Sequence, residues 1–206
     1  MVVVRDLGYA LLYVGFGVAV AAMVFSVPIA TRSLWRLRPI GALQVLVPSP
    51  PSATASIGGA MPVGLLLPAV HGTALDGSEI TLIGFSGLDP ISVAMIITGS
   101  VVAWLVALTA AAAAGYGRGL PDELATTSMR AGATTLAACV TAIILGNALV
   151  QLTVPGGSRA AWGLWLYSFV GLVWVALAGL EWRSASTGKV GSRRRDSPPR
   201  FRPRHF

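Results

Sequence analysis

The chain has 206 residues, of which 54% are hydrophobic and only 11% charged, and its mean hydropathy is +0.73. Soluble domains carry about 25% charged residues; a chain this poor in charge cannot cover a water-facing surface, which excludes an ordinary soluble fold. Much of the net charge of +7 lies after Leu180, in a tail rather than on a folded face, which weighs against a nucleic-acid-binding domain, and a single cysteine excludes an internal disulfide.

Crossing about 30 Å of hydrocarbon takes about 20 helical residues. Four uncharged runs meet that length: 8–30, 91–115, 131–153 and 161–180. Each is predicted to be helical, because an unpaired strand leaves backbone groups unsatisfied in lipid. The first run follows Arg5 and contains Ala19-Val20-Ala21, a signal-peptide-like pair of features. Its apolar stretch continues to Ala30, however, beyond the 7–15 residues of a signal core, and it is read as an uncleaved helix.

Residues 31–90 have a different texture. "LQVLVP" (43–48), "VGLLLP" (63–68) and "EITLIGF" (79–85) are short, rich in β-branched residues or leucine, and bounded by Pro, Gly, Ser and Asp. They predict a small β-rich cap of two or three strands, with "SPPSATASIGG" (49–59) as a flexible connection. The alternative is an irregular loop lying on the bilayer surface.

The second and third runs are separated by residues 116–130, which carry Arg118, Asp122, Glu123 and Arg130. Gly115, Gly117, Gly119 and Pro121 end one helix, and Asp122-Glu123 favours a short new helical turn from its N-terminus. In the third run Asn147 and Gln151 stand four residues apart, so both amides share one helix face. Transporters hold substrate with such amides, but a hydrogen bond between helices, worth about 0.6 to 2 kcal/mol, is the simpler role. No Asp, Glu, Lys or Arg lies inside the four runs, and such residues usually mark an ion path. Gly15/Ala19, Gly17/Ala21, Gly99/Ala103/Ala107/Ala111 and Ala138/Ala142/Gly146 recur at four-residue spacing and permit close helix approach. Around the fourth run, Trp162, Trp165, Tyr167 and Trp182 sit as interfacial anchors. The tail, 184–206, is rich in Ser, Gly, Pro and Arg and is predicted to be disordered. Its Arg193, Arg194 and Arg195 are read as a basic group facing anionic cytoplasmic lipid, at about 1 kcal/mol per residue near the surface.

With the N-terminus inside, the cytoplasmic parts hold 11 Lys and Arg and the outer parts hold 4. This predicts both termini in the cytoplasm and 31–90 outside the plasma membrane. Arg32, Arg36 and Arg38, at the exit of the first helix, favour the opposite threading locally. Chemistry is sparse. Histidine occurs only as His71 and His205, so no pair of helix ligands for haem exists. Cys139 has no partner for thiol exchange and reads as a small packing residue. Gly84-Phe85-Ser86-Gly87 matches the string around the serine of rhomboid-type proteases, but no helix supplies the histidine that enzyme needs.

One apolar helix, an outer β-like segment, a helix pair joined by a turn with Gly119-Leu120-Pro121, and a last helix running into a charged end together resemble the bacterial DUF2975 membrane proteins. In that family Phe, Asn and several Arg follow the turn's Pro, where this chain has Asp122, Thr126 and Arg130. The resemblance implies no catalytic residues; members look like partners of small DNA-binding regulators, which implies a sensory or regulatory role. The expectation is therefore an all-α transmembrane four-helix bundle with a small β-rich extracytoplasmic segment between helices 1 and 2. Its regions are 1–30, 31–90, 91–183 and 184–206. It needs no cofactor or metal and acts by interaction rather than catalysis. Its partners are the lipid bilayer and other membrane proteins or further copies of itself. An accessory subunit of a larger complex and a small oligomeric transporter are the alternatives.

Overall fold

The computed structural model describes residues 2–37, 52–73, 78–115, 123–153 and 159–195. Helix α1 (Val2–Leu37) is followed by the short α2 (Ala53–Ala60), which continues directly into a 3-10 helix, Met61–Leu66. Strands β1 (Pro68–Thr73) and β2 (Glu79–Ile83) and a single turn, α3 (Gly84–Gly87), lead into α4 (Pro90–Gly115). Then come α5 (Glu123–Gln151), β3 (Arg159–Ala160) and α6 (Trp162–Arg195). Four helices are long and apolar enough to cross a membrane, over Val2–Trp35, Pro90–Ala114, Ala125–Gln151 and Trp162–Ser186. A small three-stranded sheet completes the described fold.

The helices begin where capping chemistry lets them. Asp89 accepts the backbone N–H of Ser92 at 2.9 Å and Pro90 takes the first helical position of α4, where its missing N–H costs nothing. Ser52 caps α2 by accepting from the Ala55 N–H at 3.2 Å. Of the four long helices α5 is the central one: 61% of its apolar window is buried, against 17% for α1. Leu136, Val140, Ile143 and Ile144 of α5 are completely covered. Tyr13 and Phe25 of α1, by contrast, are 72% and 74% exposed, a pattern suited to lipid rather than water.

Packing contacts fix the relative directions. Gly8 of α1 lies against Gly146 and Val150 of α5, Gly15 against Cys139 and Ile143, and Ser26 against Gly132. Helix α1 therefore runs antiparallel to α5, and its first residues lie at the same end as the last residues of α5. Gly99 of α4 meets Val140 of α5 and Met23 of α1. A side chain at Gly99 or Gly146 would collide with the neighbouring helix and one at Gly15 would be tight, whereas Gly17 has nothing within 4 Å. Only part of the small-residue pattern thus faces a helix.

Antiparallel pairing joins β2 to β1 and β1 to β3, in the order β2-β1-β3, with Val70 opposite Leu82, His71 opposite Thr81, and Val70 also opposite Ala160. The sheet sits where α4 and α6 begin and α5 ends. It lies beside the start of α1: Gly163, at the head of α6, touches Pro68, and Gly8 touches Val150. This is the sheet end of the molecule.

Several expectations are corrected here. Among the described residues, 31–90 holds two strands, as expected, and the sheet gains a third from residues 159–160 after α5. "VGLLLP" is mostly 3-10 helix, and "EITLIGF" is strand only to Ile83. Residues 53–59 of the supposed flexible connection lie in a capped helix, Ala53–Ala60, because Ala55 and Gly58 are small enough to bury against other helices. Residues 123–130, expected to belong to the turn, are already helix, since α5 begins at Glu123. Helix α6 runs on through 184–195, where disorder is expected from composition. "LQVLVP", residues 116–122 and residues 196–206 lie outside the described residues.

The path of the chain adds a feature that four helices alone do not require. Leu37 ends α1 at the end opposite the sheet, since Ser26 and Gly132 already lie toward the start of α5. Ser52, where the chain is next described, bonds to Glu181 near that same end of α6. From there α2 passes Trp104 and Trp174 at Gly58, and the 3-10 helix passes Tyr167 at Gly64. The chain then enters β1 at the sheet end. Residues 53–66 thus travel through the molecule alongside α4 and α6; eight residues of α-helix and six of 3-10 helix extend about 24 Å. The first residues of α1 and the last of α6 consequently lie at opposite ends, not the same one.

Candidate functional site

The end opposite the sheet holds a cleft built by α2, α4, α5 and α6. Helix α6 carries Glu181, whose carboxylate accepts from the Ser52 hydroxyl at 3.0 Å and from the Thr54 N–H at 3.2 Å. Both contacts serve the N-terminus of α2, where a negative charge is stabilising by about 0.3–1 kcal/mol when exposed and up to about 2 kcal/mol when partly buried. Helix α5 carries Arg130, which donates from Nη1 to the backbone carbonyl of Glu181 at 2.9 Å. The Ser184 hydroxyl donates to the same carbonyl at 2.9 Å. Trp174, fully buried on α6, donates from its indole N–H to the Thr54 carbonyl at 2.9 Å.

Between these groups lies a cavity of about 200 Å³, lined by Ser52, Thr54, Arg130, Glu181 and Ser184 together with alanines of α4, α5 and α6. Thr54 is 2% exposed, and its hydroxyl oxygen has no hydrogen-bond partner. Arg130 has no carboxylate oxygen within 4.0 Å among the described residues. The cleft therefore combines a cation, an anion and an unused hydroxyl, with the two charges not paired to each other.

Asn147 and Gln151 lie at the other end of α5, toward the sheet. Asn147 donates to the Ser92 hydroxyl of α4 at 3.0 Å and to the Ile143 carbonyl at 2.9 Å. Gln151 reaches the Gly87 carbonyl at 3.5 Å, and its side-chain oxygen is buried without a partner. The two amides do share a face, and that face meets α4 and α3. Arg193, Arg194 and Arg195 occupy the last residues of α6, and their side chains lie outside those described. Cys139 is buried beneath Gly15. Ser86 of the protease-like string donates to the Ile83 carbonyl at 3.3 Å, and His71 Nδ1 pairs with the Thr81 hydroxyl at 2.8 Å, so the structure does not join them. Among the described residues no three His, Cys, Asp or Glu side chains gather as a metal site would require.

The sequence reading passed over Ser52, Thr54, Arg130 and Glu181. Arg130 and Glu181 each stand one residue outside an apolar run, and so read as loop charges. In the structure both lie within continuous helices, inside Ala125–Gln151 and Trp162–Ser186. The available signal was their position: one charge before the third run and one after the fourth belong to the same end of an antiparallel pair. The chain matches no family model, no curated protein and no solved structure with which it was compared.

Proposed function

We propose that the protein is a plasma-membrane protein whose packed helices form a bundle, and which crosses the bilayer five times, four times by long helices and once by Ala53–Leu66. Assigning each Lys and Arg to the end at which its segment leaves the helices puts 13 at the cleft end and 2, Arg5 and Arg159, at the sheet end. The positive-inside rule then places the cleft and C-terminus in the cytoplasm and the sheet and N-terminus outside. Arg32, Arg36 and Arg38, which opposed a four-crossing threading, agree with this one. In intact cells an impermeant thiol reagent should label Ser78→Cys and should label Ser186→Cys only after permeabilisation. The reverse labelling would overturn the orientation.

Within that threading the protein acts by non-covalent interaction in a sensory or regulatory role. One observation carries this reading: Ser52–Leu66 is hydrogen-bonded to Glu181 at one end, covered by Trp104 and Trp174 in the middle, and continuous with β1 at the other. A single element so linked at both ends transmits a displacement of the outer sheet to the inner cleft, as a packed two-state element does. Hydrogen exchange of the nanodisc-embedded protein tests the coupling. Glu181→Gln weakens the cap of α2, and the amides of 79–83 should then exchange faster although they touch none of the altered groups. Unchanged exchange at the sheet would mean that the two ends are not connected through this element.

A further inference from the structure

We propose that the cleft between Ser52, Thr54, Arg130 and Glu181 binds a small zwitterion, a ligand that joins an anionic oxygen group to a primary ammonium. The cavity of about 200 Å³ is several times the roughly 30 Å³ that a water molecule occupies in the liquid. Its charged groups are arranged for such a ligand. Arg130 spends one N–H on the Glu181 carbonyl, and a guanidinium has five, set in a planar fork that matches an oxyanion. The Glu181 carboxylate accepts one hydrogen bond on each oxygen, and a carboxylate has about four acceptor positions. Thr54 adds a buried hydroxyl without a partner on the cavity wall, and such a group carries its desolvation cost until something satisfies it.

Electroneutrality selects among ligand classes. An anion on Arg130 would leave the Glu181 charge beside it uncompensated; a cation at Glu181 would do the same to Arg130. Burying unpaired charge is costly. A ligand bearing both charges leaves neither unpaired, with its anionic end on Arg130 and the Thr54 hydroxyl and its ammonium at Glu181. Two sources share this chemistry: a free amino acid and the headgroup of phosphatidylethanolamine. The site rests on the geometry of the cleft alone and holds whichever way the protein is threaded, so its test stands apart from the labelling and exchange experiments above.

The full-length protein in phosphatidylcholine nanodiscs provides the test, because the quaternary ammonium of that lipid has no N–H to donate. Its thermal midpoint is followed against added glycine, acetate or methylammonium, and separately with phosphatidylethanolamine built into the disc. Glycine or phosphatidylethanolamine should raise the midpoint, and which of them does so identifies the source. Acetate and methylammonium alone should not raise it. Thr54→Val removes the unpartnered hydroxyl at nearly constant size, and so keeps the fold while weakening binding by about 3- to 10-fold, the worth of one neutral hydrogen bond. Arg130→Gln should weaken it by at least about 10-fold, as loss of a charged donor does. The proposal fails if neither zwitterion shifts the midpoint, if acetate acts as strongly as glycine, or if Thr54→Val binds as tightly as the parent.

Discussion

Asn147 and Gln151 show how differently two amides one turn apart can behave. Asn147 is 7% exposed and its donor is shared between Ser92 of α4 and its own helix. Ser92→Ala and Asn147→Leu are each expected to lower stability by about 0.5–1.5 kcal/mol. A double-mutant cycle should return a coupling near the roughly 0.6 kcal/mol typical of hydrogen bonds between membrane helices. Denaturant titration in mixed micelles measures it, and zero coupling would mean that the bond contributes nothing to helix association. Gln151 has a long contact to Gly87 and a buried oxygen without a partner. Gln151→Leu should therefore be neutral or stabilising, since it removes an unsatisfied group. A similar contrast holds at Tyr167, whose hydroxyl donates to the Met61 carbonyl at 2.7 Å. Tyr167→Phe removes that bond, while the carbonyl keeps its place in the 3-10 helix, and should cost about 0.5–1.5 kcal/mol in the same titration. Periodicity was enough to put Asn147 and Gln151 on one face. Their unequal partners were not readable, because the register between α4 and α5 depends on Gly99 seating against Val140, a contact of tertiary packing that no local rule reaches.

The segment from Ser52 to Leu66 is where a rule written for lipid fails inside protein. The need for about 20 consecutive apolar residues follows from satisfying every backbone group where only hydrocarbon surrounds the helix. Ala53–Leu66 is shorter than that, but its walls are protein: Gly58 lies on Trp104 and Trp174, and Leu65 is completely buried. Glu181, Ser52 Oγ and the Ser52 carbonyl accept from the N–H groups of Thr54, Ala55 and Ser56, so three of the donors that open α2 are satisfied within the protein. The composition that reads as a linker, small residues with Ser and Gly, is also what allows a thin helix to fit between two large indoles. Flexible loops tolerate deletion, because loop length costs little free energy; a helix packed among others does not. Deleting 49–59 removes the cap and all of α2 except Ala60, and any replacement crossing by extended chain leaves its backbone unpaired. That variant should fail to accumulate in the membrane, whereas deleting 74–77, between β1 and β2, should be tolerated. Normal accumulation of the first variant, read by immunoblot of membrane fractions, would show that the segment is not a structural crossing. Gly163 supplies a narrower check at the other end, where an added Cβ would collide with the Pro68 carbonyl. Because a backbone atom cannot swing aside, Gly163→Ala should cost about 1–3 kcal/mol, the usual penalty of overpacking.

At the scale of the whole molecule, the number of crossings decides what orients the protein. The apolar helices and the charge-poor composition were legible from the sequence, and so was the uneven distribution of Lys and Arg along it, because each is a property of the chain before it folds. Parity was not legible, since a crossing by Ala53–Leu66, if made, would reverse the side assigned to everything before it. Two threadings then make different demands on the basic tail. With four crossings and the N-terminus inside, the count is 11 against 4, and 7 of the 11 lie beyond Thr187. Ending the chain at Thr187 would leave 4 against 4, and such a protein should insert in both orientations. With five crossings the count is 13 against 2, and the same truncation leaves 6 against 2, because Arg32, Arg36 and Arg38 now stand with Arg118, Arg130 and Arg183. A single orientation should survive. The truncated protein carrying Ser78→Cys is accordingly expected to be labelled by an impermeant reagent in intact cells to the same extent as the full chain carrying it. Labelling that falls by about half, with the remainder recovered on permeabilisation, is the signature of mixed insertion when the positive-inside vote is tied. That result would return the orienting role to the tail and remove Ala53–Leu66 from the count of crossings.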